Sequence, residues 1–415
     1  MKSIGKQIWN QRRSNAWIGV ELIVVNVLLW YAIDLVYNFE GAAWQPKGYD
    51  TENVFDLQVA AKPLEMLNDE DNRNAGQDFS YLYNLIKDYP GVEHVGYYSG
   101  SIPYSNETQH EGYASHADSS RIIHCKKRYV SPEYFKVFRL EIAKGNVDFE
   151  RWKAAEYPMP VLMTEELTDS LFGKVGLDAI GQTCFNPYWG KTQTNYKVAG
   201  ILPQHKLDDY QRYEPFIYRP TPEPRPLWWQ HVVIRVHPDH VNGFAERFRA
   251  DMQGVFDRGI FYLNHIRSYA DMKASYDIEQ GTVNYLNTAY AVIAFFLFNI
   301  FLSILGTFWF RTHKRKSEIA LHKAHGATNG MVFTRLVSEG WWLLLIITPI
   351  ALAIDFNLAY TELNAWRNGT TLEWDRLLAC AGICFLLIAL MIAIGIGIPA
   401  RKAMKIEPAE ALHDE

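Results

Sequence analysis

The residues that could do chemistry in this 415-residue sequence are scattered, and their spacing supports little catalysis. No G-x-x-x-x-G-K-[ST] run is present to cradle a nucleotide phosphate, and neither H-E-x-x-H nor G-x-S-x-G occurs. His110 and His116 could ligate a metal, but they lie in a Ser/Glu/Gly-rich stretch, 105–120, that reads as an exposed loop. The four cysteines match no zinc spacing. Cys380 and Cys384 stand one helical turn apart in an apolar run, where thiols serve as small apolar residues. Cys125 and Cys184 fall in a polar region, and sequence leaves open whether they form a disulfide. No catalytic residue, metal site or bound cofactor is therefore assigned.

The densest group of chemically suggestive residues is 311–339, RTHKRKSEIALHKAHGATNGMVFTRLVSE. Ser317 and Glu318 can open a short helix, and Glu318 can pair with His322 one turn on. Ile319, Ala320 and Ala324 offer a narrow apolar face, and Gly326 is a natural stop. Such a basic helix could bind anionic lipid headgroups or dock a protein partner, and its residues alone do not choose.

Four apolar stretches must position this segment. A span needs roughly 20 apolar residues, because the hydrocarbon core is about 30 Å thick and a helix rises about 1.5 Å per residue. Residues 281–310 and 377–400 contain no charge, and 340–361 contains only Asp355. The first stretch, 17–37, is weakest: Glu21 and Asp34 flank its apolar core, with Asn26 inside it. These ionisable groups are expected to reach the headgroup region from the two ends of the span. No small-x-small cleavage site closely follows that core, so a retained anchor is expected.

The mean hydropathy of −0.16 hides this division. From Asn38 to Gln280 there are 26 Lys+Arg against 34 Asp+Glu, a charge of −8 within a total of −5, and this acidic middle argues against nucleic-acid binding. Basic residues cluster before the first span (Lys2, Lys6, Arg12, Arg13), between the second and third (Arg311, Lys314, Arg315, Lys316, Lys323, Arg335) and after the fourth (Arg401, Lys402, Lys405). Those flanks predict both termini inside and the large middle domain outside. Within that domain, 53–60, 79–87 and 92–99 read as strand, helix and strand, and the order recurs at 231–236, 238–256 and 261–268. The expectation is an α+β domain of two β-α-β units with an inserted small subdomain at about 130–225. A helix over 271–280 would run straight into the second span as a stalk.

Lys316-Ser-Glu-Ile-Ala-Leu-His-Lys-Ala-His-Gly-Ala327 resembles the R-E-I-G-I-R-K-A-x-G-A signature of MacB/FtsX-type ABC transporter permeases. Glu318, Ile319, Lys323, Ala324, Gly326 and Ala327 match it, while Ser317 stands where Arg is usual and His322 where Arg is common. The tail from Pro399 through Arg401, Pro408 and Glu410 to Leu412 resembles the family's P-A-x-x-A-x-x-x-x-P-x-E-A-L. More diffuse similarity runs through 130–145, 160–173 and 196–202.

The resemblance implies a four-helix permease in the bacterial inner membrane whose periplasmic domain is moved by ATP hydrolysis on a separate cytoplasmic subunit, a mode called mechanotransmission. ATP and Mg would sit on that ATPase. Lys316, Glu318, Ile319, Lys323, Ala324, Gly326 and Ala327 would couple to it. Further expected partners are a second permease subunit, a periplasmic adaptor and membrane lipids. The boundaries expected are a cytoplasmic terminus 1–16, span 17–37, periplasmic core 38–270, stalk and span 271–310, and coupling segment 311–334. Span 335–361, external loop 362–376, span 377–400 and cytoplasmic tail 401–415 complete the order. The competing reading is a membrane-anchored sensor whose outer domain binds a ligand, although the short inner segments leave no room for an output domain.

Overall fold

The computed structural model describes residues 12–63, 69–149, 152, 157–173, 176–188, 195–221, 231–314, 316–363 and 372–404. The chain divides into a helical unit, Met1–Gly41 with Val283–Glu415, and an α+β unit, Ala42–Thr282. After helix α1 (Arg12–Trp44) come β1 (Val54–Ala61), α2 (Asp69–Lys87), β2 (Val92–Gly100), β3 (His110–Ser115) and β4 (Ile123–Val130). Then follow α3 (Pro132–Val137), β5 (Met159–Thr164), α4 (Glu165–Phe172), β6 (Thr183–Phe185), β7 (Asn195–Leu202) and β8 (Phe216–Pro220). The α+β unit ends with β9 (His231–Val236), α5 (Phe244–Phe256), β10 (Phe261–Ser268) and α6 (Tyr269–Glu279). Helices α7 (Thr282–Lys314), α8 (Lys316–Ala324), α9 (Asn329–Tyr360) and α10 (Trp374–Met404) complete the chain.

Four strands of the α+β unit lie in the order β10-β1-β9-β2, each neighbouring pair antiparallel. β1 and β2 are thus parallel with β9 between them, and β9 and β10 are parallel with β1 between them. Two β-α-β units interleave in the split, ferredoxin-like manner. Both faces of the sheet are buried, which is why His231–Val236 reads as an almost unbroken apolar run. Val232, Ile234 and Val236 pack with Phe55 and Leu57 against Phe244 and Phe248 of α5 and Leu82 of α2. Val233 and Val54 face a second core with Tyr98, Phe138 and Tyr269.

The insertion begins earlier than 130. β3 and β4 belong to a ring, β4-β3-β6-β7-β5-β8, closed by parallel pairing of β8 onto β4, and closure removes exposed edges. The 105–120 stretch is accordingly not a continuous exposed loop. His110 is exposed, but Glu111 to Ser115 are buried in β3. Glu111 is held by Arg219 at 2.5 Å, a partner more than a hundred residues away, so no local pattern announces the strand. Cys125 and Cys184 are free and buried, with β3 lying between their strands. Another expectation fails at the end of this unit. The stalk is not continuous with the next helix: α6 stops at Glu279, and Gly281 takes φ +70° before α7 begins.

α1, α7, α9 and α10 are each long and apolar enough to cross a membrane. They pack through Leu29, Ile304, Leu344, Ile347, Ile388 and Ile392. Asp34 does not reach for headgroups. It is buried against Arg376 of α10 at 3.1 Å, where a carboxylate in apolar surroundings needs a cation. Glu21 accepts a hydrogen bond from Ser303 of α7 at 2.7 Å, and Asn26 is buried.

Phe248 is wholly buried, whereas Val255 on the same helix is exposed. Phe248→Ala should cost about 3–5 kcal/mol and Val255→Ala no more than about 0.5 kcal/mol, read as the difference between their thermal unfolding midpoints.

Candidate functional site

The segment after α7 is built by two helix ends meeting across four residues, His325 to Thr328. α8 closes with the N–H of Gly326 donating to Lys323 O at 2.9 Å and that of Ala327 to His322 O at 3.1 Å, the paired bonds of a Schellman stop. Gly326 adopts φ +92°, which any side chain would strain. Thr328 then caps α9, its hydroxyl accepting from Met331 N at 3.3 Å.

The helix is held by one face only. Ile319 and Ala320 are buried, Ile319 in the core of the helical unit with Val332 and Leu336. Leu321, His322, Ala324 and His325 are exposed, and Lys323 and Ala327 are half-buried. Ala324 therefore lies off the buried face on which the sequence grouped it. His322 Nε2 accepts from Arg335 Nη1 at 2.7 Å, which ties α8 to α9. A cavity of about 270 Å³ lies beside this contact, lined by Ile319, Ala327, Met331 and Leu336 among others. The backbone of Lys316 and Glu318 is helical; their side chains lie outside the described residues, and with them the expected Glu318–His322 pair. Pro399 and Arg401 lie in the last turns of α10, while Pro408, Glu410 and Leu412 lie outside the described residues.

A second arrangement had no signal in the sequence. In the loop between β7 and β8, Lys206 is wholly buried and donates to the carbonyls of Ala42 and Gln45 (3.4 Å), at the C-terminal end of α1. Three residues on, Asp209 accepts from the Tyr104 hydroxyl at 2.8 Å and pairs with Lys47 at 3.4 Å and with Lys273 of α6. Burial pushes the Asp209 carboxyl up, but Lys273, Lys47 and Tyr104 outweigh it and hold the group below its usual range. The same pairing raises Lys273 against the effect of its own burial. One carboxylate thus gathers the first and last segments of the α+β unit. Basic and acidic residues this far apart in sequence cannot be matched without the fold.

With both arrangements in place, the comparisons with known proteins are decisive. Residues 47–250 match the model of the MacB-like periplasmic core domain, and residues 290–408 match that of the FtsX-like permease C-terminal region. The chain belongs to the MacB/FtsX-type permease family. It is a membrane protein with, among the described residues, four helices long and apolar enough to span, and a large α+β domain of the periplasmic core type. The ABC transporter permease YknZ of Bacillus subtilis, itself uncharacterised, is 30% identical over 105 residues. That match spans about a quarter of this chain and a quarter of the relative. The crystal structure of the extracellular domain of YknZ from Gram-positive bacteria is similar with a TM-score of 0.31 and 13% identity, over 50% of this chain and 98% of that one. A permease-protein domain from Porphyromonas gingivalis is similar with a TM-score of 0.34 and 11% identity, over 54% and 92%.

In this permease the match to the C-terminal family model contains α8 and its glycine stop, and the match to the core-domain model contains Lys206 and Asp209. Asp209→Asn should destabilise the α+β unit by about 1–3 kcal/mol, the cost of leaving partly screened cations without their partner. The sign with pH follows from the two shifts. A depressed carboxyl contributes stability that is lost only as pH falls through its lowered value, and a raised lysine only as pH climbs through its raised value. Hydrogen exchange at residues 42–50 should therefore be faster in the variant at neutral pH. Neither of these two shifts by itself puts a step between mildly acidic and mildly alkaline pH.

Proposed function

We propose that this chain is the permease subunit of an ABC transporter and that it couples ATP hydrolysis on a separate cytoplasmic ATPase to motion of its periplasmic domain. The observation that carries this reading is α8: a short helix anchored through Ile319 and Ala320, with Leu321, Ala324 and His325 turned outward. An anchored helix with an exposed face can receive a push from a docked protein and pass it to α7 and α9, to which it is joined by one residue and by four. A loosely tethered loop would absorb the same displacement.

On this reading Lys316, Glu318, Ile319, Lys323, Ala324, Gly326 and Ala327 form or shape the coupling element, and Pro399, Arg401, Pro408, Glu410 and Leu412 belong to the cytoplasmic tail beside it. Nucleotide and Mg belong to the partner. A second permease subunit would supply the other half of the assembly, and a periplasmic adaptor could engage the α+β domain. The protein resides in the inner membrane with both termini cytoplasmic. Motion would leave the membrane through the covalent links at the two ends of the α+β unit, where Asp209 and Lys206 hold the chain.

The joint substitution of Glu318→Ala and Gly326→Val tests the coupling element. Strain of about 1–2 kcal/mol at the glycine, about a tenfold shift in an equilibrium, should reduce stimulation of the co-expressed ATPase by about that factor while membrane insertion stays intact. An unchanged, fully stimulated complex contradicts the assignment. So does a wild-type protein that never co-purifies with an ATPase.

A further inference from the structure

We propose that the imidazole of His231, held between Asp56 and Glu107, is a protonation switch that fastens the 102–109 loop to the sheet. The pH on that side of the membrane would then set how firmly the loop holds the base of the α+β domain. The latch follows from the geometry alone; only its consequence for transport rests on the permease reading above.

Asp56 on β1 and His231 on β9 are diagonal neighbours on one face of the sheet, since Gln58 is paired with His231 and Asp56 with Val233. Both are buried. His231 Nδ1 lies 2.9 and 3.0 Å from the two carboxylate oxygens of Asp56, so this nitrogen carries a proton whether the ring is neutral or charged. The other nitrogen, Nε2, faces Glu107 Oε2 at 3.9 Å. Protonation decides the character of that contact. In the neutral ring Nε2 presents a lone pair to a carboxylate, which repels. In the imidazolium it presents an N–H and a charge, which attract.

The other charged and titratable groups around the ring leave this logic intact. From β10, His265 Nε2 stands 3.7 Å from Asp56 and supports its negative charge. From β2, Tyr98 lies with its ring 5.8 Å from the imidazole, its hydroxyl bonded to Tyr269 of α6 at 2.7 Å. Arg267, Tyr276 and Glu279 line the same cavity of about 200 Å³. Burial alone would push His231 down, but Asp56 first and Glu107 second outweigh it and raise the ring above its ordinary value. Burial also raises Glu107 above the usual glutamate range, against the pull of His231. The attraction therefore exists in a window. It is lost as pH rises through the raised histidine value, and lost again as pH falls through the raised glutamate value.

The loop that Glu107 belongs to is not a bystander. Its Tyr104 donates to Asp209, and its Asn106 accepts from Gln280, the residue after α6. Fastening Glu107 thus fastens the loop that braces both.

Hydrogen exchange on the full-length protein in lipid nanodiscs, corrected for intrinsic rates, tests this from mildly acidic to alkaline pH. In the wild type, protection of 102–109 should fall about two- to fivefold as His231 deprotonates, the size expected of a half-exposed ion pair. Glu107→Gln should give low, flat protection in the loop while β9 stays protected, and His231→Gln should flatten the same profile. Glu107 keeps 43% of its side chain exposed, against 9% for His231, so its variant decides the matter even if His231→Gln does not fold. A flat wild-type profile, or a step that survives Glu107→Gln, overturns the proposal. Neither outcome bears on whether an ATPase binds.

Discussion

A carboxylate taken out of water stays ionised only where cations and hydroxyls come to it, and around Asp209 that requirement organises the base of the α+β domain. Lys47, Tyr104 and Lys273 arrive from three distant stretches of chain to satisfy one side chain. Lys206, three residues earlier, reaches the opposite way and satisfies the carbonyls left open at the end of α1. The pair ties the first segment of the α+β unit to later ones, and α6 ends at Glu279 before the turn at Gly281. The ferredoxin-like half is then free to use both faces of its sheet for packing. Its second face admits polar groups only where they are paired, as Asp56 with His231 and Arg235 with the carbonyls of Val137, Glu52 and Asp50.

The helical unit meets the same demand in a more apolar setting. Backbone groups in hydrocarbon must be satisfied within each segment, which leaves long helices as the solution, and the few charges they carry turn inward. Asp34 with Arg376 and Glu21 with Ser303 are ties between helices. At one end of this unit, α8 departs from the pattern: it is short, amphipathic and held on a single side. A helix of nine residues has little stability of its own. Ile319, Ala320, the Schellman stop and the Thr328 cap supply what its length does not.

Much of this was legible in the sequence where the governing interaction is local. Uninterrupted apolar runs mark the spans, because hydrocarbon thickness sets their length. Gly326 marks the end of α8, because only its backbone sits there without strain. The apolar run of Val232 to Val236, broken by Arg235 alone, marks a strand. What could not be read is what depends on distant partners. β3 is hidden by its polar composition until Arg219 closes on Glu111, and with it the true start of the insertion. Asp34 looked like a group reaching for headgroups because Arg376 lies hundreds of residues away. Lys206 and Asp209 sit in an unremarkable loop whose role exists only once the chain has folded back on both of its ends.

The central claim is that the free face of α8 is where an ATPase pushes. A photo-crosslinking residue introduced at the exposed Leu321 position, in the full chain with its co-expressed ATPase, tests it most directly. The account predicts a crosslink to the ATPase whose yield changes when ATP is bound and when it is hydrolysed. A correctly inserted protein that crosslinks only to lipid, with the same yield in every nucleotide state, would contradict it.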